Sequence, residues 1–222
     1  MQYSLPYSLV IFDLDGTLAD SFPWFRRHVN AVADRFAFRR VADEDVESLR
    51  HADSREILAR LEVPIWKLPA IARHMRRLKG LHIADIPLFD GTEAMLRRLR
   101  GAGFCLALVS SDSEANARRQ LGELALLFAH FDCGASVFGK ARKFRRVVKQ
   151  AGLAPEAVIA IGDEVRDIEA ARAAGIACGA VRWGFASSEA LRARAPDLIF
   201  ERMEDIAREL VVRSARRNAT TA

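Results

Sequence analysis

The chain carries two hydrophobic patterns: short uninterrupted apolar runs, and longer segments whose apolar residues lie three and four positions apart. The first pattern predicts buried strands and the second predicts amphipathic helices. The predicted strands are Ser8–Phe12, Phe104–Val109, Ala135–Phe138, Val158–Ile161, Ile176–Val181 and Leu198–Phe200. The predicted helices between and after them are Thr92–Arg100, Glu114–Leu121, Ala141–Ala151, Val165–Ala174, Ser188–Arg194 and Met203–Val212. Such alternation predicts an α/β fold with a doubly wound parallel sheet.

One stretch interrupts this alternation. From Phe22 to about Leu81 the apolar spacing is helical throughout, and no strand is predicted. A stretch of about 60 residues is too long for an ordinary loop. We therefore predict a small helical domain at residues 21–84, inserted into an α/β domain formed by residues 1–20 and 85–222. The polar and basic residues Ser214–Ala222 are expected to fray.

The composition is that of a globular protein, because 50% of the 222 residues are hydrophobic and 28% are charged. Apolar runs such as Phe104–Val109 are far shorter than the roughly 18 residues that cross a membrane. The first residues lack the pattern of an export signal, and the three cysteines form no CxxC pair that would indicate a zinc site. We expect a cytoplasmic protein with no membrane partner.

The net charge of +5 comes from 34 Lys and Arg against 29 Asp and Glu. The basic residues are spread over many predicted helices and interleaved with acidic ones, whereas a nucleic-acid site needs a concentrated basic face. We therefore expect no nucleic-acid partner. A phosphorylated small molecule would benefit from the same positive field.

The most informative polar residues, Asp13-Leu-Asp-Gly-Thr17, follow the first predicted strand. Ligands of open α/β sheets bind at the carboxyl ends of the strands. Asp13 and Asp15 can point to the same side of such an end, and Gly16 permits a sharp turn there. Crowded carboxylates are costly unless a cation compensates them, and a hard divalent ion such as Mg²⁺ is the natural one. The alternative is a structural Asp-Gly turn.

Three other predicted elements end or begin in polar residues. Asp163 follows an apolar strand, and Asp167 lies four positions later on the same face of the next helix, near its N-terminus, where a carboxylate is favoured. Ser110 ends a strand, and Lys140 opens a helix. Taken singly, these residues also fit an acidic helix start, a strand end and an exposed lysine.

Together the motifs resemble those of the haloacid-dehalogenase-like (HAD) hydrolase superfamily. Asp13–Thr17 is similar to the DxDGT motif of its phosphatases, and Gly162–Asp167 is similar to its GDxxxD motif. Ser110 and Lys140 follow the family's order for its phosphate-binding Ser/Thr and Lys. DGTLADS and Trp183-Gly184-Phe185 resemble the phosphoglycolate-phosphatase-like group. Two positions depart from the usual family pattern. This chain has Ser110-Ser111 where many relatives have Thr-Asn, and it has Lys140-Ala141 where many relatives have Lys-Pro.

The resemblance implies a Rossmann-like core with an inserted all-helical type 1 cap. It implies that Asp13 is the nucleophile that forms an aspartyl-phosphate. Asp15 would protonate the leaving oxygen and then activate water. The implied cofactor is Mg²⁺, held by Asp13, the main-chain carbonyl of Asp15, and Asp163. Dehalogenation is disfavoured, because dehalogenases of this family lack the second Asp.

The same resemblance implies a set of supporting residues. These are Thr17, Ser110, Ser111 and Lys140 around the phosphate, and Glu164 and Asp167 behind the metal ion. Two assignments stay open: adjacent Ser111 could replace Ser110, and Lys143, one helical turn further, could replace Lys140. Asp167 would hold a metal-bound water or the Lys140 ammonium.

The expected substrate is a small phosphate monoester, phosphoglycolate-like or a sugar phosphate. Arg50, His51 and Arg55 lie at a break in the helical stretch, where Asp53 or Ser54 is expected to cap the next helix. They are candidate specificity residues for an anionic substrate, or exposed residues of an ordinary turn.

Two other functions remain open from the sequence. A phosphomutase of the same family would return the phosphoryl group to a sugar. A regulatory phospho-ligand-binding module would keep the fold without catalysis, although its expected loss of a catalytic residue is not seen. We expect a monomer or a homodimer.

Overall fold

The computed structural model describes residues 7–134 and 139–218. Its centre is a six-stranded parallel sheet in the order β3-β2-β1-β4-β5-β6. The strands are β1 Leu9–Phe12, β2 Cys105–Val109, β3 His130–Asp132, β4 Val158–Gly162, β5 Ala177–Val181 and β6 Leu198–Phe200. The predicted α/β fold with a parallel sheet is confirmed.

The first strand, β1, lies inside this sheet, and the later strands extend the sheet in two directions. Phe12 of β1 pairs with Leu108 of β2 on one side and with Ile161 of β4 on the other. The strand order therefore reverses between β1 and β4, and crevices at such switch points are where open α/β sheets bind ligands. The sheet topology alone places the expected site at the carboxyl end of β1.

Ten α-helices accompany the sheet in the described part of the chain. They are α1 Phe22–Phe36, α2 Asp45–Arg50, α3 Ser54–Arg60, α4 Leu68–Leu81, α5 Thr92–Gly101, α6 Glu114–Leu121, α7 Lys140–Ala151, α8 Val165–Ala174, α9 Ser188–Ala193 and α10 Met203–Asn218. None of these helices is both long enough and apolar enough to cross a bilayer. The first four fall within residues 21–84, the helical segment, which contains no strand, as the sequence predicts.

Side chains alternate across the strands, so the sheet carries two apolar cores. Val10 and Phe12 belong to the core that includes residues of α5 and α10. Leu9 and Ile11 belong to the core that includes residues of α7 and α8. All four strand residues are fully buried, which explains why β1 shows an uninterrupted apolar run rather than alternation.

The chain enters and leaves the helical segment side by side. The amide of Asp20 donates to the carbonyl of Pro87 at 2.9 Å, and the amide of Phe89 donates to the carbonyl of Leu18 at 2.9 Å. Ala19 and Leu88 form an antiparallel bridge between these bonds. The segment is thus tied to the α/β part by a short hydrogen-bonded neck. Its folding as a separate domain stays a prediction.

Two features differ from the predicted elements. β3 was not predicted, because His130-Phe-Asp132 is short and mostly polar and is defined by pairing with β2 instead. The strand predicted at Ala135–Phe138 lies outside the described residues. The prediction that the chain frays from Ser214 is wrong as far as Asn218, because α10 continues to that residue. No Pro or Gly interrupts the sequence there.

The close packing of β5 against β6 gives a test of the core. A methyl group on Gly179 would lie 2.6 Å from the ring of Phe200, a distance that real packing does not allow. We predict that Gly179→Ala lowers the free energy of unfolding by about 1–3 kcal/mol, the usual cost of overpacking. Urea denaturation measures this change.

Gly101→Ala is the matched control, because nothing lies within 4 Å of the added methyl group at the end of α5. Its unfolding free energy should be unchanged or raised by up to about 1 kcal/mol. Adding Phe200→Leu should make the loss in the double variant smaller than the sum of the two single losses. Additive losses would show that the ring is not the obstacle.

Candidate active site

Polar residues from four elements meet at the switch point of the sheet. Asp13 directly follows β1, Ser110 directly follows β2, and Asp163 directly follows β4. Lys140 is the first residue of α7. Since the carboxyl ends of parallel strands lie at one edge of a sheet, residues far apart in the chain come together here. The structure therefore brings together the motifs that the sequence analysis identified separately.

Lys140 bridges two buried carboxylates. Its Nζ atom lies 2.5 Å from Oδ2 of Asp13 and 2.5 Å from Oδ1 of Asp167. The second oxygen of Asp13 accepts from the amide of Leu14 at 2.8 Å. The second oxygen of Asp167 accepts from the amides of Asp163 and Glu164, at 3.1 and 3.0 Å. Both carboxylates are therefore held in fixed orientations.

Asp163 is completely buried and held from two sides. Its Oδ1 accepts from the Thr17 hydroxyl at 2.8 Å, and its Oδ2 accepts from the Phe185 amide at 2.8 Å. A methyl group on Gly16 or on Gly184 would collide with this carboxylate. Gly16 also has φ +74°, which other residues rarely adopt. The Gly of the first motif therefore serves both the turn and the close approach of Asp163.

Burial and mutual repulsion perturb these acids. Loss of solvent raises the pKa of Asp13, and Lys140 only partly opposes this. The pKa of Asp163 is raised well above its usual value by burial and by the nearby carboxylates of Glu164, Asp167 and Asp13. Burial also acts to raise the pKa of Asp167, but the charges of Lys140 and Arg166 outweigh it and lower the pKa. The site has more negative charge than its lysine balances.

Asp13, Asp163 and Asp167 can each offer one oxygen such that these atoms lie within 4.8 Å of one another. An all-carboxylate set suits a hard divalent cation, and such an ion would offset the repulsion that raises the pKa values of Asp13 and Asp163. Asp167 already accepts hydrogen bonds from Lys140 and from two amides, so Asp13 and Asp163 are better able to serve as metal ligands. The residues present therefore fit a divalent metal.

The structure separates the pairs that the sequence left open. Lys140 contacts Asp13, whereas the Lys143 ammonium donates to the main-chain carbonyls of Ser110 at 2.8 Å and Gly134 at 2.7 Å. Ser110 is buried, and its hydroxyl accepts from the amide of Asp112 at 3.1 Å. Ser111 is exposed. Lys143 thus links the residues that follow β2 and β3, whereas Lys140 is the lysine that binds Asp13 and Asp167.

Glu164 lies at the N-terminus of α8 and pairs with Arg166, whose guanidinium donates to it at 2.9 Å. Burial raises the pKa of Glu164, and Arg166 opposes this rise. A methyl group on Gly162 would collide with Asp167, so the Gly of GDEVRD makes room for the second Asp of that motif. The motif's spacing follows from this packing.

Sequence reasoning missed Lys79 of α4. Its ammonium lies 2.6 Å from Oδ1 of Asp15 and 2.9 Å from Oδ2 of Asp112, and its side chain is only 6% exposed. Burial lowers its pKa, but the charges of Asp15 and Asp112 outweigh this effect and raise it. The available signal was its position one helical turn after Met75, on the apolar side of α4. It was hidden in a run of basic residues.

A cavity of about 420 Å³ lies between the helical segment and the carboxyl ends of the strands. Asp15, Lys79 and Arg50 lie in its wall. The Arg50 guanidinium donates to the carbonyls of Phe185 at 3.0 Å and Gly184 at 3.2 Å. Arg50 thus joins the helical segment to the α/β part.

The other two predicted specificity residues lie elsewhere. His51 and Arg55 are exposed and are not part of the cavity wall. His51 contacts the carbonyl of Glu47 at 2.8 Å. Asp53, not Ser54, is the N-cap of α3, where it forms a capping box with Glu56. The structure does not bring His51 or Arg55 to the carboxylates.

Comparisons with known proteins agree with this geometry. The sequence model of the haloacid dehalogenase-like hydrolases matches residues 10–181. A phosphoglycolate phosphatase from Synechococcus elongatus is 35% identical over 89% of this chain and 94% of its own. A 5'-nucleotidase from Pseudomonas aeruginosa is 31% identical over 87% of this chain and 90% of its own.

A solved structure shows the same fold. The crystal structure of a predicted phosphatase from Clostridium acetobutylicum superposes with a TM-score of 0.78, at 22% identity, over 94% of this chain and all of that one. The family match includes the residues that follow β1, β2 and β4. The chain therefore belongs to the haloacid dehalogenase-like hydrolase family and is a phosphatase of its phosphoglycolate-phosphatase-like group.

Proposed function

We propose that the protein is a Mg²⁺-dependent phosphatase that hydrolyses a small phosphate monoester through an aspartyl-phosphate on Asp13. The observation that carries this proposal is the pairing of Asp13 with Lys140 beside Asp163, with Asp15 two residues away in the cavity wall. Relatives named phosphoglycolate phosphatase and 5'-nucleotidase make phosphoglycolate or another organic phosphate the starting candidates.

In the first step an Asp13 oxygen attacks phosphorus and the bond to the leaving oxygen breaks. Asp15 gives its proton to that oxygen, so the product leaves as a neutral alcohol. Lys140 and the loop at Ser110 stabilise charge on the phosphoryl oxygens. In the second step Asp15 takes a proton from water as the water attacks the phosphorus of the aspartyl-phosphate. The bond from Asp13 to phosphorus breaks, inorganic phosphate is released and Asp13 is restored.

Mg²⁺ would be held by Asp13, Asp163 and the main-chain carbonyl of Asp15, and it would supply positive charge that lets a phosphate approach these carboxylates. Thr17 orients Asp163 through its hydroxyl, and Asp167 holds Lys140. Such supporting bonds fix the ligands of a metal site. Lys79 holds the Asp15 side chain at the cavity wall.

The metal assignment predicts that EDTA abolishes phosphate release and that added Mg²⁺ restores it. Thr17→Val should raise the Mg²⁺ concentration for half-maximal activity about 10- to 100-fold, because it removes the hydroxyl that orients Asp163. A Mg²⁺ titration of phosphate release measures both effects.

Thr92→Val is the matched control, since Thr92 is equally buried but its hydroxyl contacts the carbonyl of Leu18. It should leave the Mg²⁺ requirement unchanged. Full activity in EDTA would refute the metal assignment.

The roles proposed for Asp13 and Asp15 predict different catalytic defects when each residue is replaced. In single-turnover experiments, Asp15→Asn should slow release of an alkyl leaving group about 10²- to 10⁴-fold, the usual contribution of a general acid. It should slow release of p-nitrophenol much less, because p-nitrophenolate leaves without a proton.

Asp13→Asn serves as the comparison, because a neutral amide cannot act as the nucleophile and both substrates should fail. Equal slowing of the alkyl and aryl substrates by Asp15→Asn would contradict the role of Asp15 as acid.

Lys79 is predicted to position Asp15. Lys79→Met should lower kcat about 10- to 100-fold, as expected when a reacting group is misplaced, and Lys79→Arg should restore part of it. Steady-state kinetics, with circular dichroism as a check of folding, tests this.

Lys67→Met is the control, since Lys67 also lies in the helical segment but donates to the carbonyl of Phe36 at 2.6 Å. Its kcat should be normal. A normal kcat for Lys79→Met would show that Asp15 keeps its position without the lysine.

A further inference from the structure

The cavity between the helical segment and the sheet edge is apolar over most of its surface. Its wall includes Trp24, Val29, Leu58, Leu61, Ile71 and Met75, from α1, α3, α4 and the residue after α3. Some of its polar residues lie at the carboxyl ends of the strands or, for Lys79, reach them from α4, and others, such as Arg26, Arg50 and Arg76, belong to the helical segment. Those at the strand ends are Asp15, Ser111, Asp112, Glu164 and Arg166. The cavity therefore extends from the proposed reacting groups into an apolar chamber, which is the part of the cavity lined by the six apolar residues named above.

The leaving-group side of the site faces this chamber. Asp15, the proposed proton donor to the leaving oxygen, is part of the cavity wall, whereas Asp13 and Lys140 are not. Lys140 instead borders a small recess together with Ser110 and Ser111. A phosphoryl group at Asp13 and Lys140 would thus direct its alcohol past Asp15 and into the chamber.

The basic side chains in the cavity wall already have partners. Arg26 pairs with Asp43 at 2.6 Å, Arg50 binds two carbonyls, and Lys79 is held between two carboxylates. Two more follow the same pattern: Arg166 pairs with Glu164, and Arg76 donates to the carbonyl of Ser111 at 3.5 Å. A carboxylate on the leaving group would therefore have to compete with existing contacts, while apolar surface needs no such exchange.

The cavity volume also exceeds what a two-carbon leaving group needs. Pockets of about 300–1,000 Å³ hold ligands of drug size, and this cavity measures about 420 Å³. Glycolate would leave most of the apolar wall without contacts. An aliphatic or aromatic group would cover it.

We propose that the preferred substrate is the phosphate monoester of an apolar alcohol or phenol whose carbon skeleton occupies this chamber. This inference rests on the proposed phosphatase function. The P–O bond of the ester breaks as the Asp13–phosphorus bond forms, Asp15 supplies the proton, and the apolar alcohol is released. Water then cleaves the aspartyl-phosphate to inorganic phosphate.

The test compares straight-chain alkyl phosphates with two, four, six and eight carbons, and with 2-phosphoglycolate, by release of inorganic phosphate with Mg²⁺ present. We expect kcat/KM to rise roughly fourfold with each added CH₂ group until the chamber is filled. Octyl phosphate should be hydrolysed more efficiently than 2-phosphoglycolate.

A cavity variant links this preference to the chamber. Ala72 lies in the cavity wall on α4, and Ala70 is exposed on the same helix. Ala72→Phe should reduce kcat/KM for octyl phosphate at least tenfold more than for ethyl phosphate, because the ring occupies the space of the long chain. Ala70→Phe, the matched control, should leave the chain-length series unchanged.

Each outcome separates the two proposals. If phosphate is released but kcat/KM is flat with chain length, or is highest for 2-phosphoglycolate, the apolar-substrate inference is wrong and the phosphatase function stands. If Ala72→Phe and Ala70→Phe have the same series as the unmodified protein, the preference does not arise in this chamber. If no substrate releases phosphate, the proposed function itself fails, and this inference fails with it.

Discussion

Repulsion between buried carboxylates at one edge of the sheet is the constraint on which this site depends. Strand ends bring Asp13 and Asp163 together, α8 adds Asp167, and burial raises the pKa values of the first two. Such an arrangement persists only with compensating donors and cations. Lys140 and main-chain amides supply part of this compensation, and the proposed divalent ion would offset the negative charge that remains.

A second cation connects this edge to the helical segment. Lys79 comes from α4, yet its partners Asp15 and Asp112 follow β1 and β2. The same residue therefore borders the apolar cavity and fixes the group proposed to protonate the leaving oxygen. In the proposed mechanism, the helical segment would thus both surround the leaving group and position its proton donor.

The sequence predicted what is encoded locally. Apolar runs predicted five of the six strands. The motifs at Asp13–Thr17 and Gly162–Asp167 predicted the three clustered carboxylates of the site. Both kinds of feature depend on neighbours in the chain. β3 escaped prediction because pairing with β2, not its composition, makes it a strand. Lys79 and the cavity escaped because they depend on how α4 packs over the sheet edge, which no local pattern records.

The hydrogen-bonded neck at Leu18–Asp20 and Pro87–Phe89 bears on how such a protein diversifies. The two ends of the helical segment lie side by side. For the α/β part, the segment is therefore a loop with fixed ends, whatever its length or internal structure. The entropy of closing such a loop rises only slowly with its length. Insertions, deletions and wholesale exchange between the two ends therefore cost the rest of the fold little. The helical part of the cavity wall can therefore change in evolution while the residues that follow β1, β2 and β4 are retained.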